Sequence, residues 1–258
     1  MTSVNTTPFA NIYTNTTPGC TDLKEYCTKL SREKGDLSRL QVGKVEFRKN
    51  KSLSGHEFMK FSVSCQGSVV GYAVMERDVG ANEEENRSVL SSTMSTPPQS
   101  LRSSSVFAQF FSISQPNDFS AHDGIIVSKD KATANRRLIE SDSLGTFFTS
   151  TPALDSSFAK LVVLGISINK VIPRYRLFTT NCYYFVALML NLMVDDEIIG
   201  GKFRQSTGSR MGSNGPFRTV DKNSTEFTEV AGKVKGIFIK EWDKFTKEWK
   251  KSTRAVSE

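Results

Sequence analysis

The sequence predicts an α+β domain in which an antiparallel sheet packs on a core helix. Three observations carry that expectation. The runs Gly55–Ser64 and Val69–Glu76 are rich in β-branched and aromatic residues and flank the short turn Gln66-Gly67-Ser68, which marks a hairpin. The stretch from Tyr175 to Leu190 begins extended, passes through Thr179-Thr180-Asn181, and runs on from Cys182 without a polar break. Between Ser156 and Asn169, the residues Phe158, Leu161, Val162, Leu164, Gly165 and Ile168 recur at helical spacing, which predicts a second helix ended by Pro173.

The remaining elements follow along the chain. Residues 1–19 are polar and Thr-rich and are expected to be disordered, with a single domain over 20–258. Thr21 is a plausible N-cap for a short helix reaching about Ser31, with Leu23, Cys27 and Leu30 on one face. Gly43–Arg48 alternates as a strand does, and Asp123–Ser128 is a further strand candidate. From about residue 79 to 116 the composition shifts to Ser, Asn, Glu and Pro, which predicts a long low-complexity insertion or linker. One apolar island, Val106–Phe111, interrupts it. The Cys182 helix is expected to close near Asp195, and Gly200–Asn223 reads as a Gly-, Ser- and Arg-rich loop. An amphipathic helix over 226–251 lines up Phe227, Val230, Val234, Ile237, Phe238, Trp242, Phe245 and Trp249 in one stripe, which is expected to pack on the core.

Composition narrows the function. The chain has 258 residues, 38% of them hydrophobic, so part of it is expected not to pack. Its net charge is +7, with the excess concentrated in the last helix; that face permits contact with a protein or an acidic surface without requiring it. No apolar run approaches the roughly 18 residues of a spanning helix, and no basic start precedes an apolar core, so neither a transmembrane segment nor a signal peptide is expected. The expected location is intracellular, in the cytoplasm, with reduced thiols. Cys20, Cys27, Cys65 and Cys182 have no metal-like spacing, and the other ligand types are limited to His56 and His122. No metal or organic cofactor is expected.

The chemistry centres on Cys182. Thr180 and Asn181 are good capping residues, which puts Cys182 in a first helical turn, where the positive end of the helix dipole favours a thiolate. A thiol nucleophile also needs a base, and usually a third group that orients the base. His56 opens a strand and is one candidate base; His122, in Phe119-Ser120-Ala121-His122-Asp123, is the other. Glu76 and Tyr72, on the strand that pairs with that of His56, are available to orient it, and Asp78 is less well placed.

The residues Gly55-His56-Glu57-Phe58, the strand end Tyr72-Ala73-Val74-Met75-Glu76-Arg77, and the late segment Asn181-Cys182-Tyr183-Tyr184-Phe185-Val186-Ala187 resemble a group of uncharacterised fungal proteins. The order also resembles the lecithin:retinol acyltransferase-like and PPPDE branches of the permuted papain-like fold. The resemblance covers residues 43–77 and 123–194. It implies a permuted papain-like fold with Cys182 as nucleophile, His56 as base, and Glu76 or Tyr72 as third member. The activity it implies is a thiol-dependent hydrolase or acyltransferase acting on an acyl or peptide substrate. The chain departs from it in lacking the second strand histidine common among acyltransferases. The rival expectation is a non-catalytic interaction protein of the same fold, presenting its basic C-terminal helix.

Overall fold

The structure is a computed structural model that describes residues 12–14, 20–33, 35–51, 56–79, 118–132, 141–149, 157–176, 181–194, 198–199, 201–206, 213–214, 217–218 and 220–254. The expected insertion, from residue 80 onward, and its island Val106–Phe111 lie outside the described residues.

The hairpin forms the centre of the sheet. Gln66 and Gly67 both adopt positive φ (51° and 81°), the geometry that lets a two-residue turn follow the twist of its strands. It joins β3 (Glu57–Cys65) to β4 (Ser68–Val79), paired from Phe58 opposite Glu76 to Cys65 opposite Ser68 with a register shift between Val63 and Ser64. On one side, β2 (Leu40–Asn50) pairs with β3; on the other, β5 (Asp118–Ser128) pairs with β4. With β1 (Thr21–Asp22), β6 (Ser141–Thr149) and β8 (Gly201–Gln205), the antiparallel order around this meander is β1-β5-β4-β3-β2-β6-β8, and β7 (Arg174–Arg176) adds to the start of β5.

Alternation decides the faces of the strands. Val45 and Phe47, Met59, Phe61 and Val63, Ala73 and Met75, and Ile125 and Val127 all belong to one buried core. Against them pack α2 (Ser157–Val171) and α3 (Cys182–Val194). Nearly every side chain of α3 is buried, as its unbroken apolar run requires. α4 (Thr225–Arg254) lies on α2 and covers the core with Phe227, Val234, Phe238 and Phe245, while Val230, Trp242 and Trp249 are partly buried beside them.

The structure corrects the sequence reading in four places. The cap of α1 (Leu23–Ser31) is Asp22, whose Oδ1 accepts from the N–H groups of Lys24 and Glu25; Thr21 instead forms the short strand β1 (Thr21–Asp22) with β5. Ile12–Thr14, inside the segment expected to be disordered, is docked: Ile12 is buried, Tyr13 Oη donates to the Val70 carbonyl, and the Thr14 N–H donates to the Val127 carbonyl. The span read as a loop over 200–223 contains β8 (Gly201–Gln205) and the small ribbon of β9 (Ser213–Asn214) and β10 (Phe217–Arg218). Between β2 and β8 stands β6 (Ser141–Thr149), too polar to read from sequence because only Leu144 and Phe147 of its apolar residues enter the core.

Candidate active site

α3 starts at the end of the sheet where β3 begins and β4 finishes. Asn181 caps it: its Oδ1 accepts from the Tyr184 N–H at 3.2 Å, and its carbonyl accepts from the Phe185 N–H. Cys182 is therefore the first residue of the helix, as the sequence predicts, and the residue is 3% exposed. A first-turn N–H has no intrahelical acceptor, so the Cys182 amide contributes to the positive end of the dipole beside its own sulfur.

His56 is held immediately before β3 by its backbone, whose carbonyl accepts from the Asn50 N–H at the end of β2. Its ring stacks on Phe58 with centroids 6.3 Å apart. Nε2 faces Glu76 Oε2 at 3.2 Å, and Cys182 lies close enough to the imidazole to act on its pKa. Burial alone would push the imidazolium pKa down, but the hydrogen bonds and charges of Cys182 and Glu76 outweigh it and raise it to about 10. His56 is thus an imidazolium at neutral pH, its charge matched by a carboxylate whose side chain is only 6% exposed.

The three residues named from sequence, Cys182, His56 and Glu76, meet in one place. The alternatives do not join them. Tyr72 lies four residues back along β4, opposite Ser62 and Ser128, about 13 Å from Glu76 at strand spacing, and packs beside Phe58 and Val74. His122 is on β5 opposite Asp78, and the imidazole that engages Cys182 is that of His56.

Two residues at the site escaped the sequence reading as participants. Tyr175, brought in by the pairing of β7 with β5, lies beside Cys182. Burial first, then the neighbouring Cys182 and Asp78, push its phenol well above the usual tyrosine range, so it stays a neutral donor. Cys20 donates from Sγ to Glu76 Oε1 at 2.9 Å. Tyr183, next along the helix, lies under the Lys49 ammonium at 4.9 Å from the ring centroid; burial raises its phenol pKa too.

Directly beside Glu76, a second polar cluster fixes the helices to the sheet. Arg77 is fully buried and grips Asp123 of β5 through two hydrogen bonds, Nε to Oδ1 at 2.6 Å and Nη2 to Oδ2 at 2.8 Å. Asn169 of α2 donates to the same Oδ2, and the guanidinium lies over the Phe185 ring of α3. Successive strand residues point to opposite faces, so Glu76 and Arg77 serve the site and the helix anchor respectively.

No family model matches the sequence, and no curated protein or solved structure matches it either. Among the described residues, no helix is long and apolar enough to cross a membrane, and no group of His, Cys, Asp and Glu side chains is arranged to hold a metal ion.

Proposed function

We propose that this chain is a thiol-dependent hydrolase or acyltransferase built on a permuted papain-like fold, with Cys182 as nucleophile, His56 as its acid–base partner and Glu76 as the residue that orients His56. The observation that carries the reading is the proximity of Cys182, at the start of a helix, to an imidazole whose Nε2 faces a buried carboxylate. Sulfur, imidazole and carboxylate in that order form the relay that a cysteine acyl-transfer site needs.

In this mechanism the thiol proton already rests on His56, so that Cys182 and His56 work as a thiolate–imidazolium pair, and the Cys182 sulfur attacks the carbonyl carbon of an acyl or peptide group. Negative charge develops on the carbonyl oxygen, where the Cys182 N–H is available to donate. The bond to the leaving amine or alcohol breaks as the His56 imidazolium gives that group its proton. A thioester remains on Cys182. Water, an amine or an alcohol then loses a proton to His56, attacks the thioester and releases the acyl product, returning the sulfur to its starting state. The Tyr175 hydroxyl, beside Cys182, is available to steady the sulfur during both steps.

A second reading is favoured by one measurement, the 3% exposure of Cys182. In it the cluster is structural and the chain is an interaction protein that presents the basic face of α4. Exposure to an activated ester such as p-nitrophenyl acetate separates the two. On the enzymatic reading, the wild type acquires a hydroxylamine-sensitive acyl group on Cys182, and Cys182→Ala acquires none there. A folded wild type that stays unmodified at Cys182 supports the interaction protein.

A further inference from the structure

Glu76 is held from two sides. Oε2 faces His56 at 3.2 Å, and Oε1 accepts the Cys20 thiol at 2.9 Å across 56 residues of sequence. The second contact depends on a glycine. β1 pairs with β5 so that Asp22 stands opposite Gly124, and Gly124 stands opposite Glu76 on the next strand. A Cβ on residue 124 would fall 2.5 Å from Cys20 Cβ and 3.3 Å from its Sγ, with His122 Cε1 at 3.5 Å on the other side. Cys20 therefore fills the space a side chain at position 124 would take, and that space opens on Glu76.

A carboxylate beside an imidazolium can turn about its last torsion, which is broad and roughly two-fold. One donor on the remote oxygen stops that rotation and keeps the near oxygen on the imidazole. We propose that Cys20 is a positioning residue of the Cys182–His56–Glu76 site, its thiol fixing the Glu76 carboxylate toward His56 and Gly124 making room for it. The catalytic meaning of this hold rests on the enzymatic reading above; the hold itself does not.

The test uses the full chain and reads two quantities: the His56 titration midpoint by imidazole NMR, and the rate of Cys182 alkylation by iodoacetamide. The ionisable groups around this relay include Glu76 and Cys182 on His56, Cys20 on Glu76 with His122 beside Gly124, Tyr175 beside Cys182 with Asp78 next to it, and Tyr183 with Glu57 and Lys49 next to it. Cys20→Ala removes the donor and should lower the His56 midpoint by about one pH unit, a tenfold change in its protonation equilibrium. Cys20→Ser keeps a hydroxyl donor and should restore the wild-type midpoint. Gly124→Ala, which displaces Cys20 without altering its thiol, should reproduce Cys20→Ala. A lower melting temperature with an unchanged midpoint in Cys20→Ala means a packing role alone and overturns the proposal, as does a Cys20→Ser midpoint equal to that of Cys20→Ala. A shifted midpoint with a Cys182 that alkylates in no variant upholds the hold on Glu76 and overturns the enzymatic reading instead.

Discussion

Glu76 Oε2 lies 3.2 Å from His56 Nε2, joining the end of strand β4 to the residue that precedes β3. Phe58 stands directly opposite Glu76 in the hairpin, and the His56 ring stacks on Phe58 from two residues away. The ladder thus sets both ends of the ion pair, and the hairpin register is also the register of the site.

This pair gives stability a pH dependence. The His56 imidazolium is favoured in the folded state, with its pKa raised from 6.5 to about 10. A raised pKa stabilises the fold fully below the unfolded value, and the gain is lost as pH rises through the folded value. Stability should therefore decline between about pH 6.5 and pH 10, by at most about 1.4 kcal/mol per pH unit for one proton. Thermal melts across that range check it. Glu76→Gln removes the carboxylate charge and should flatten the decline; an identical slope in that variant would exclude Glu76 as its source.

Thiol reactivity separates Cys182 from the other cysteines. Burial, then the nearby Glu241 and Glu248 carboxylates, push the Cys27 thiol up to about 12, so Cys27 should alkylate slowest near neutral pH. On the enzymatic reading Cys182 is the fastest. His56→Ala should slow it by about 100-fold, the lower range for losing an acid–base partner, and Glu76→Gln by less, because the carboxylate acts only through the ring. Peptide mapping of a timed iodoacetamide reaction gives all four rates. A slow Cys182 whose rate ignores His56 would sink the catalytic reading.

The parts of this site that were legible in the sequence are those written locally. Asn181 announces a cap because a short amide precedes an apolar run, and the cap forms. His56 and Glu76 come together because a hairpin with a two-residue turn places them near the same end of adjacent strands. Cys20 and Tyr175 reach the same spot through strands of two and three residues, too short to carry a hydrophobic period. Arg77 and Asp123 were each visible as strand residues, but nothing in their 46-residue separation says that they face one another. Strand β6 was hidden for a related reason: it presents polar residues at most positions and relies on β2 and β8 for its ladder.

The Arg77–Asp123 pair should be the most sensitive polar contact in the fold. Asp123→Ala leaves a fully buried guanidinium without its carboxylate and takes the acceptor from Asn169 as well. Removing one partner of a buried pair costs about 3–5 kcal/mol. Denaturant unfolding should show a loss of that size. Replacing both residues together, Arg77→Met with Asp123→Leu, should recover a large part of it, since no unpaired charge remains. Losses in the double variant that equal the sum of the singles would mean that the two side chains do not act as a pair.

Helix α4 tests whether the basic end of the chain belongs to the fold. Phe227, Val234, Phe238 and Phe245 are buried, Trp242 stacks between Phe238 and Phe245, and Trp249 Nε1 donates to the Gly35 carbonyl. Lys247, on the opposite face, has a side chain 75% exposed, and Lys244, at the edge of the buried stripe, one 68% exposed. Truncating Phe227 to Ala should cost about 3–5 kcal/mol, the range for a buried aromatic ring. Lys247→Ala should change stability by less than about 0.5 kcal/mol, since its partner Asp243 is also exposed and surface pairs contribute little. Removing residues 225–254 uncovers the side of α2 that α4 packs on, so the shortened chain should melt at a lower temperature or fail to fold. An unchanged melting temperature after that deletion would instead make α4 a separable element, and its lysine face would then be free to serve a partner without cost to the domain.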